Sequence, residues 1–318
     1  MSFLEFDCSD RTFEEIQIFA GFQDSNLEML NKCFKSVFMI RDQKIKVEVN
    51  DTLDTHKVEE VIDACFSIID TQHRLNSQDV NYICSLAFKN RLKDFKVHQL
   101  QAVCKTKTGK MIYPKTIGQA ILCDAMRHNE IVFATGVAGT GKTYLAVAYS
   151  VNMLKSERVE KIILTRPAVE AGESLGFLPG DMKEKVDPYL RPLYDALNEM
   201  LGLETVEKYV EKQVIEIAPL AFMRGRTLND AVVILDEAQN ATCAQMKMFL
   251  TRMGKNCKMV VTGDVTQIDL IKKKDSGLMQ ACTILDHIDG ISIIHLENSD
   301  VVRNPLVQKI IERYAKVE

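Results

Sequence analysis

At 318 residues, 46% of them hydrophobic and 26% charged, the chain can bury one large core or two modest ones and has the composition of a soluble globular protein. No apolar run approaches the roughly 20 residues of a membrane helix, and the start, Met-Ser-Phe-Leu-Glu-Phe-Asp, has neither the basic nor the apolar region of a secretory leader. A net charge of −4 excludes a global field for nucleic acid, so any such contact must come from a local basic patch.

The first predicted elements, over residues 1–88, are short and alternate. Thr12–Phe19 is expected as a strand and Asn26–Phe34 as a helix with Leu27, Leu30 and Phe34 on one face. Ser36–Ile40 and Lys44–Val49 are expected as a strand pair around the polar turn Arg41–Gln43, and His56–Thr71 as a helix carrying Val58, Val61, Ile62, Cys65 and Ile69. This β-α-β-β-α order suits a small α+β domain, with a further helix over Asn76–Phe88.

Residues 89–112 form a basic connector. Lys89, Arg91, Lys93, Lys96, Lys105, Lys107 and Lys110, with Lys115 just beyond, face the single acid Asp94. The stretch is either a solvated linker or a strip that tracks the phosphates of RNA or DNA.

From 113 to 318, strands and helices alternate. Strands are expected at Ile131–Thr135, Lys161–Thr165, Val214–Ala218, Ala231–Asp236, Lys258–Thr262 and Ile291–His295, with helices between them that include Asp187–Leu201 and Gln245–Met253. Alternation of this kind gives a parallel sheet with helices on both faces. Right-handed crossovers then gather the loops at the carboxyl edge of the sheet.

Those loops carry the chemistry. Gly136-Val137-Ala138-Gly139-Thr140-Gly141-Lys142-Thr143 fits G-x-x-x-x-G-K-[ST] and sits between an expected strand and an expected helix. The glycines let backbone N–H groups curl around phosphate oxygens, and the helix adds its positive dipole end. Lys142 would reach the β- and γ-phosphates, and Thr143 offers a hydroxyl to Mg²⁺. Ala231–Asn240 is an apolar strand that ends in two acids. Asp236 suits a water-mediated metal ligand and Glu237 an acceptor for the proton of an attacking water. Met259–Gln267 runs through Thr262-Gly263-Asp264 to Gln267. That amide either senses a terminal phosphate or faces solvent from a turn.

Upstream, in Tyr113–Gln119, Gln119 has the donor and acceptor needed to pair with adenine, although the same stretch also suits a helix start capped by Thr116. Arg166, Arg224 and Arg226 are candidates for phosphate or subunit contacts, or ordinary surface arginines. Arg303, where a loop enters the last helix, is a candidate arginine finger or a structural ion pair.

YPKTIGQ, GVAGTGKTYLA, LTRPAVEAGESLGFLPGD, PLAFMRGRTL, VILDEAQN, TGDVTQID and DVVRNPLVQKII occur in this order over about 113–315. Together they resemble the PhoH-like ATPase family. The resemblance implies an α/β fold: a RecA-like P-loop NTPase sheet preceded by a small α+β, KH-like domain. It implies that Gln119 contacts adenine, that 136–143 bind ATP, that Asp236 and Glu237 serve Mg²⁺ and water activation, and that Gln267 and Arg303 sense the γ-phosphate. A KH module grips RNA backbone with a GXXG loop. No such loop is visible, and Phe34–Ile40 and Arg41–Lys44 stand where its glycines would be expected.

The function expected is a Mg²⁺-dependent ATPase acting on RNA or ribonucleoprotein. The alternative is an ATP-gated switch that controls a partner protein, with hydrolysis as its timer. A small-molecule kinase is disfavoured by Gln239 after the acid pair and by the Thr-Gly-Asp motif with Gln267. The first 90 residues are too poor in clustered acids for a metal nuclease. One RecA-like unit cannot open and close over ATP by itself, so a homo-oligomer is expected, such as a ring in which Arg303 or Arg226 acts in trans. Nine cysteines, an odd number with no C-x-x-C pair, suit reduced thiols in the cytoplasm.

Overall fold

A computed structural model describes residues 3–50, 53–92, 101–167, 182–302 and 313, with backbone alone for 182–189. The chain forms two compact units. The first holds the described residues up to Leu92 together with Lys115–Ile117; the second holds Gln101–Pro114 and the described residues from Gly118 onward.

In the first unit, β1 (Phe3–Asp7), β2 (Phe38–Arg41) and β3 (Lys44–Glu48) make an antiparallel sheet in the order β1-β3-β2. Helices α1 (Phe13–Ala20), α2 (Ser25–Phe34), α3 (Thr55–Gln72) and α4 (Ser77–Phe88) complete it. Phe19, Leu30, Ile45, Val47, Ile69 and Ile83 are among the buried side chains of its core. The rings of Phe19 and Phe66 stack with centroids 5.0 Å apart.

The element order is β-α-α-β-β-α-α, which corrects the expected strand at Thr12–Phe19: this segment is α1. The Thr12 side chain accepts the Glu15 N–H, and the Glu15 carboxylate accepts the Thr12 N–H in return. Two helix-end donors are thereby satisfied at once. Ile16 and Phe19, three apart, then share the buried face.

The stretches Phe34–Ile40 and Arg41–Lys44 are not the counterpart of a GXXG loop, because they hold the end of α2, β2 and its turn into β3. Between α1 and α2 lies Gly21-Phe22-Gln23-Asp24, with positive φ at Gly21 (78°), Gln23 (51°) and Asp24 (60°). It has a glycine at the front and a carboxylate at the back.

In the second unit, part of the segment expected as a connector is folded. β4 (Cys104–Lys105) and β5 (Met111–Ile112) pair antiparallel around the turn Thr106–Lys110, which closes with a 2.8 Å hydrogen bond from Thr106 N–H to the Lys110 carbonyl. Lys155 Nζ donates to the Lys105 carbonyl at 2.8 Å, holding the hairpin to the neighbouring helix. Lys93 and Lys96 lie outside the described residues.

The main sheet has six parallel strands: β6 (Ile131–Gly136), β7 (Lys161–Arg166), β8 (Ile215–Pro219), β9 (Ala231–Leu235), β10 (Cys257–Gly263) and β11 (Ile291–Leu296). Their order is β11-β6-β10-β9-β7-β8. Side chains alternate between two buried layers. Val132, Ala134, Ile162, Leu164, Ile234 and Val260 join one core, while Phe133, Ile163, Val233, Leu235 and Val261 join the other. Strands that are apolar on both faces are those of a parallel sheet covered on both sides.

Among the described residues the helices of this unit are α5 (Ile117–His128), α6 (Lys142–Lys155), α7 (Met182–Leu201), α8 (Leu203–Glu211), α9 (Cys243–Leu250) and α10 (Gly277–Ile284). β6 lies where the winding reverses. The chain leaves it toward β7 and β8, works back through β9 and β10, and ends at β11 on its other side. Loops beyond such a switch point form a crevice at the carboxyl edge. Among the described residues, no helix is long and apolar enough to cross a membrane.

Candidate functional site

The loop after β6 is shaped by glycine. Gly136 has φ 136°, and a Cβ there would lie 2.2 Å from the Leu296 carbonyl of β11. Gly141, at φ 80°, caps α6, and Lys142 is that helix's first residue. Lys142 Nζ donates to the Gly136 carbonyl at 2.7 Å, the Val137 carbonyl at 2.8 Å and the Thr140 hydroxyl at 3.3 Å. The ammonium therefore sits inside the curl of the loop, beside the N-terminus of a helix of 14 residues. That end carries positive potential and suits an anion.

Register places the two acids next to this loop. Val261 pairs with Leu235 and Gly263 with Thr135, so the loops after β6, β9 and β10 lie side by side. Asp236, buried, has its N–H bound to the Thr165 carbonyl at 2.9 Å. Its Oδ1 accepts from the hydroxyls of Thr143 and Thr262, each at 2.6 Å. Its Oδ2 accepts from Arg166 Nε at 2.8 Å and also from Arg166 Nη2.

Glu237 follows at φ 52°, a left-handed value that is rare without glycine and turns the side chain away from the strand line. Gln239 steadies it, donating from Nε2 to Glu237 at 2.7 Å while its oxygen accepts the Asp264 N–H at 3.0 Å. Gln267 in turn donates to Asp264 Oδ2 at 2.8 Å.

A cleft of about 260 Å³ is lined by Ala138, Gly139, Gly141, Lys142, Thr143, Tyr144, Asp236, Glu237, Gly263, Asp264 and Gln267. The structure thus brings together most of the phosphate loop, the acid pair and Gln267. Tyr144 at its edge donates to Glu199 at 3.0 Å. Burial first, and then that carboxylate, push its phenol up, so the ring stays neutral.

Gln119 is not among the cleft's lining residues but braces the loop, donating to the Thr140 carbonyl at 3.0 Å. Asp300 fixes the start of α5 by accepting the Gly118 N–H at 3.1 Å. Arg226 makes a two-pronged pair with Glu216, at 2.5 and 2.7 Å. Arg303 and the stretch 168–181 lie outside the described residues. Val302, the residue before Arg303, donates its N–H to the Gly139 carbonyl at 3.0 Å.

Sequence reasoning did not assign Gln239 to this site, and it gave Arg166 only as a candidate for phosphate or subunit contacts, not as the partner of Asp236. Gln239 could have been suspected from its place three residues after Asp236. The partner of Arg166 is 70 residues away, and no local pattern predicts it.

Because the Leu296 carbonyl is backbone and cannot swing aside, Gly136→Ala should destabilise the second unit by about 2 kcal/mol or more. Urea denaturation of the full chain measures this, and a midpoint equal to wild type would refute the crowding.

The PhoH-like protein family matches residues 111–315. A PhoH-like protein of Bacillus subtilis (strain 168) is 52% identical over 303 residues, spanning 95% of this chain and 94% of its own length. One from Mycobacterium tuberculosis H37Rv is 48% identical over 299 residues, 94% of this chain and 84% of that protein. Protein PhoH of Escherichia coli K12 is 46% identical over 193 residues, 60% of this chain and 54% of that protein. The chain belongs to the PhoH-like protein family, with the phosphate loop and parallel sheet of an ATP-binding ATPase.

Proposed function

We propose that this protein is a Mg²⁺-dependent ATP hydrolase whose cycle acts on RNA or ribonucleoprotein. The observation that carries the reading is the single cleft that holds Lys142, Thr143, Asp236, Glu237 and Gln267. Residues 136–143 bind and orient the triphosphate through backbone N–H groups and the Lys142 ammonium. Glu237 accepts the proton of the attacking water, and Gln267 hydrogen-bonds at the terminal phosphate.

Thr143 and Asp236 are the residues that would hold Mg²⁺. Their oxygens are 2.6 Å apart and hard, as the ion prefers. Among the described residues no group of three or more His, Cys, Asp or Glu stands ready to cage a metal. That suits an ion held by one carboxylate, a hydroxyl and substrate phosphates. When bound, Mg²⁺ neutralises charge on the β- and γ-phosphate oxygens.

The switch reading has one observation in its favour. Glu237, Gln239, Asp264 and Gln267 form a continuous hydrogen-bond chain from the acid pair to the loop after β10. A gained or lost contact at Gln267 would pass along it.

RNA contact is assigned to basic residues between Lys89 and Lys115, not to the turn Gly21–Asp24, where the Asp24 carboxylate would repel a phosphate. Assembly as a homo-oligomer that completes the cleft with Arg303 in trans belongs to the same reading. So does a cytoplasmic setting, in keeping with thiols such as Cys123, which burial pushes up to about 12.

The test is the ATPase rate of the full chain with and without single-stranded RNA at two salt concentrations. Stimulation by RNA that weakens as salt rises is expected. Hydrolysis without any RNA response would favour the switch, and no nucleotide binding at all would end both readings.

A further inference from the structure

Asp236 is 3% exposed at its side chain, and four donors surround it. Two are hydroxyls, from Thr143 and Thr262. A hydroxyl can rotate and become an acceptor, so neither obstructs a cation. The other two are N–H groups of Arg166, both on Oδ2. A guanidinium has no acceptor and keeps its charge at any working pH. The Arg166 side chain is itself only 14% exposed, and its Nη2 lies 4.0 Å from Glu237 Oε1. One guanidinium therefore attends both acids of the candidate catalytic pair.

A buried carboxylate needs a positive partner, and Arg166 supplies it. Arg166 and a divalent cation compete for Asp236, since both positive charges draw on one buried carboxylate. Release of Arg166 would free Asp236 Oδ2 and leave the full carboxylate charge to a metal. It stands at the end of β7, on the cleft's edge of the sheet and within reach of Glu237. In the ATPase reading, that is the side on which the terminal phosphate is attacked. A phosphate oxygen there is a fitting new partner for an arginine.

Resting on that ATPase reading, we propose that Arg166 is an exchangeable counter-ion that sets the preference for ATP over ADP. With no nucleotide bound it neutralises Asp236. With Mg²⁺ and ATP it yields Asp236 and binds the γ-phosphate. With ADP there is no γ-phosphate to receive it, so it continues to compete for Asp236 and weakens Mg²⁺-dependent binding. Arg166 then acts as a specificity-determining residue.

The test compares wild type with Arg166→Gln, using fluorescent ADP and a fluorescent non-hydrolysable ATP analogue while Mg²⁺ is titrated from micromolar to millimolar. In the variant, ADP should bind about tenfold tighter in Mg²⁺ and its Mg²⁺ midpoint should fall, because the competitor for Asp236 is gone. The ATP analogue should bind about tenfold more weakly, because a charge-assisted contact is lost. In EDTA, ADP affinity should match wild type.

Equal weakening of both nucleotides, or an unmoved Mg²⁺ midpoint for ADP, would leave Arg166 a merely structural ion pair and overturn the proposal. Should thermal unfolding show that Arg166→Gln is not folded, Arg166→Lys decides. It keeps the charge but not the fork, and a midpoint between the two expectations supports the exchange, while one equal to wild type overturns it. If wild type binds neither nucleotide, the ATPase reading itself has failed. If wild type binds both and the variants change nothing, only the exchange has failed.

Discussion

Lys142→Ala is expected to lower ATP affinity by roughly a hundredfold to a thousandfold. Among the described residues its ammonium is the one side-chain cation within the loop's curl, donating to two loop carbonyls and the Thr140 hydroxyl, and it is only 8% exposed. Removing one member of a desolvated, hydrogen-bonded charge pair costs about 2–5 kcal/mol, and each 1.4 kcal/mol is about tenfold.

The substitution should also cost stability, but less. The Gly136 and Val137 carbonyls lose a donor, a penalty of about 1–3 kcal/mol when no water replaces it. Alanine is at the same time a good residue for the first position of α6. Two measurements separate the effects. Calorimetric titration with Mg²⁺–ATP reads the affinity, and thermal unfolding without nucleotide reads the fold. Wild-type affinity in a folded Lys142→Ala protein would remove this side chain from phosphate binding.

The parallel sheet was legible because its central strands are short runs of apolar residues followed by turn formers. Ile131–Gly136 and Ala231–Leu235 are of this kind, and burial on both faces leaves little room for anything else. The phosphate loop, Asp236 and Glu237 could be named because each follows such a strand directly, and Gln267 because it lies four residues beyond β10. Parallel register then delivers them to one edge.

What sequence reasoning missed depended on end effects and distant partners. Phe13–Ala20 has the β-branched and aromatic content of a strand, and only the reciprocal Thr12–Glu15 cap marks it as a helix. The hairpin at Cys104–Ile112 is two short bridges around a Lys-Thr-Gly turn, and its charge pattern hid it among the connector's lysines. The Asp236–Arg166 and Gln239–Asp264 contacts join loops 70 and 25 residues apart. They exist only once β9 lies between β7 and β10, which is a property of strand order and not of any motif.

Glu237→Gln should keep ATP binding within a few-fold of wild type and slow hydrolysis by roughly a hundredfold to ten-thousandfold, the range contributed by a positioned general base. Three features make this substitution a clean test. The amide matches the carboxylate in size, so the left-handed backbone at φ 52° is asked to hold nothing new. The amide oxygen can still accept from Gln239 Nε2, which now donates at 2.7 Å, so the chain from Gln239 to Asp264 stays intact. The Glu237 side chain is 48% exposed and 4.0 Å from Arg166, so the lost ion pair is screened and contributes little to stability. What changes is proton affinity, because an amide cannot take the proton of a water as it attacks. Single-turnover hydrolysis under saturating ATP isolates that step from binding and from product release. A variant that hydrolyses ATP at the wild-type rate in that assay would exclude Glu237 as the base.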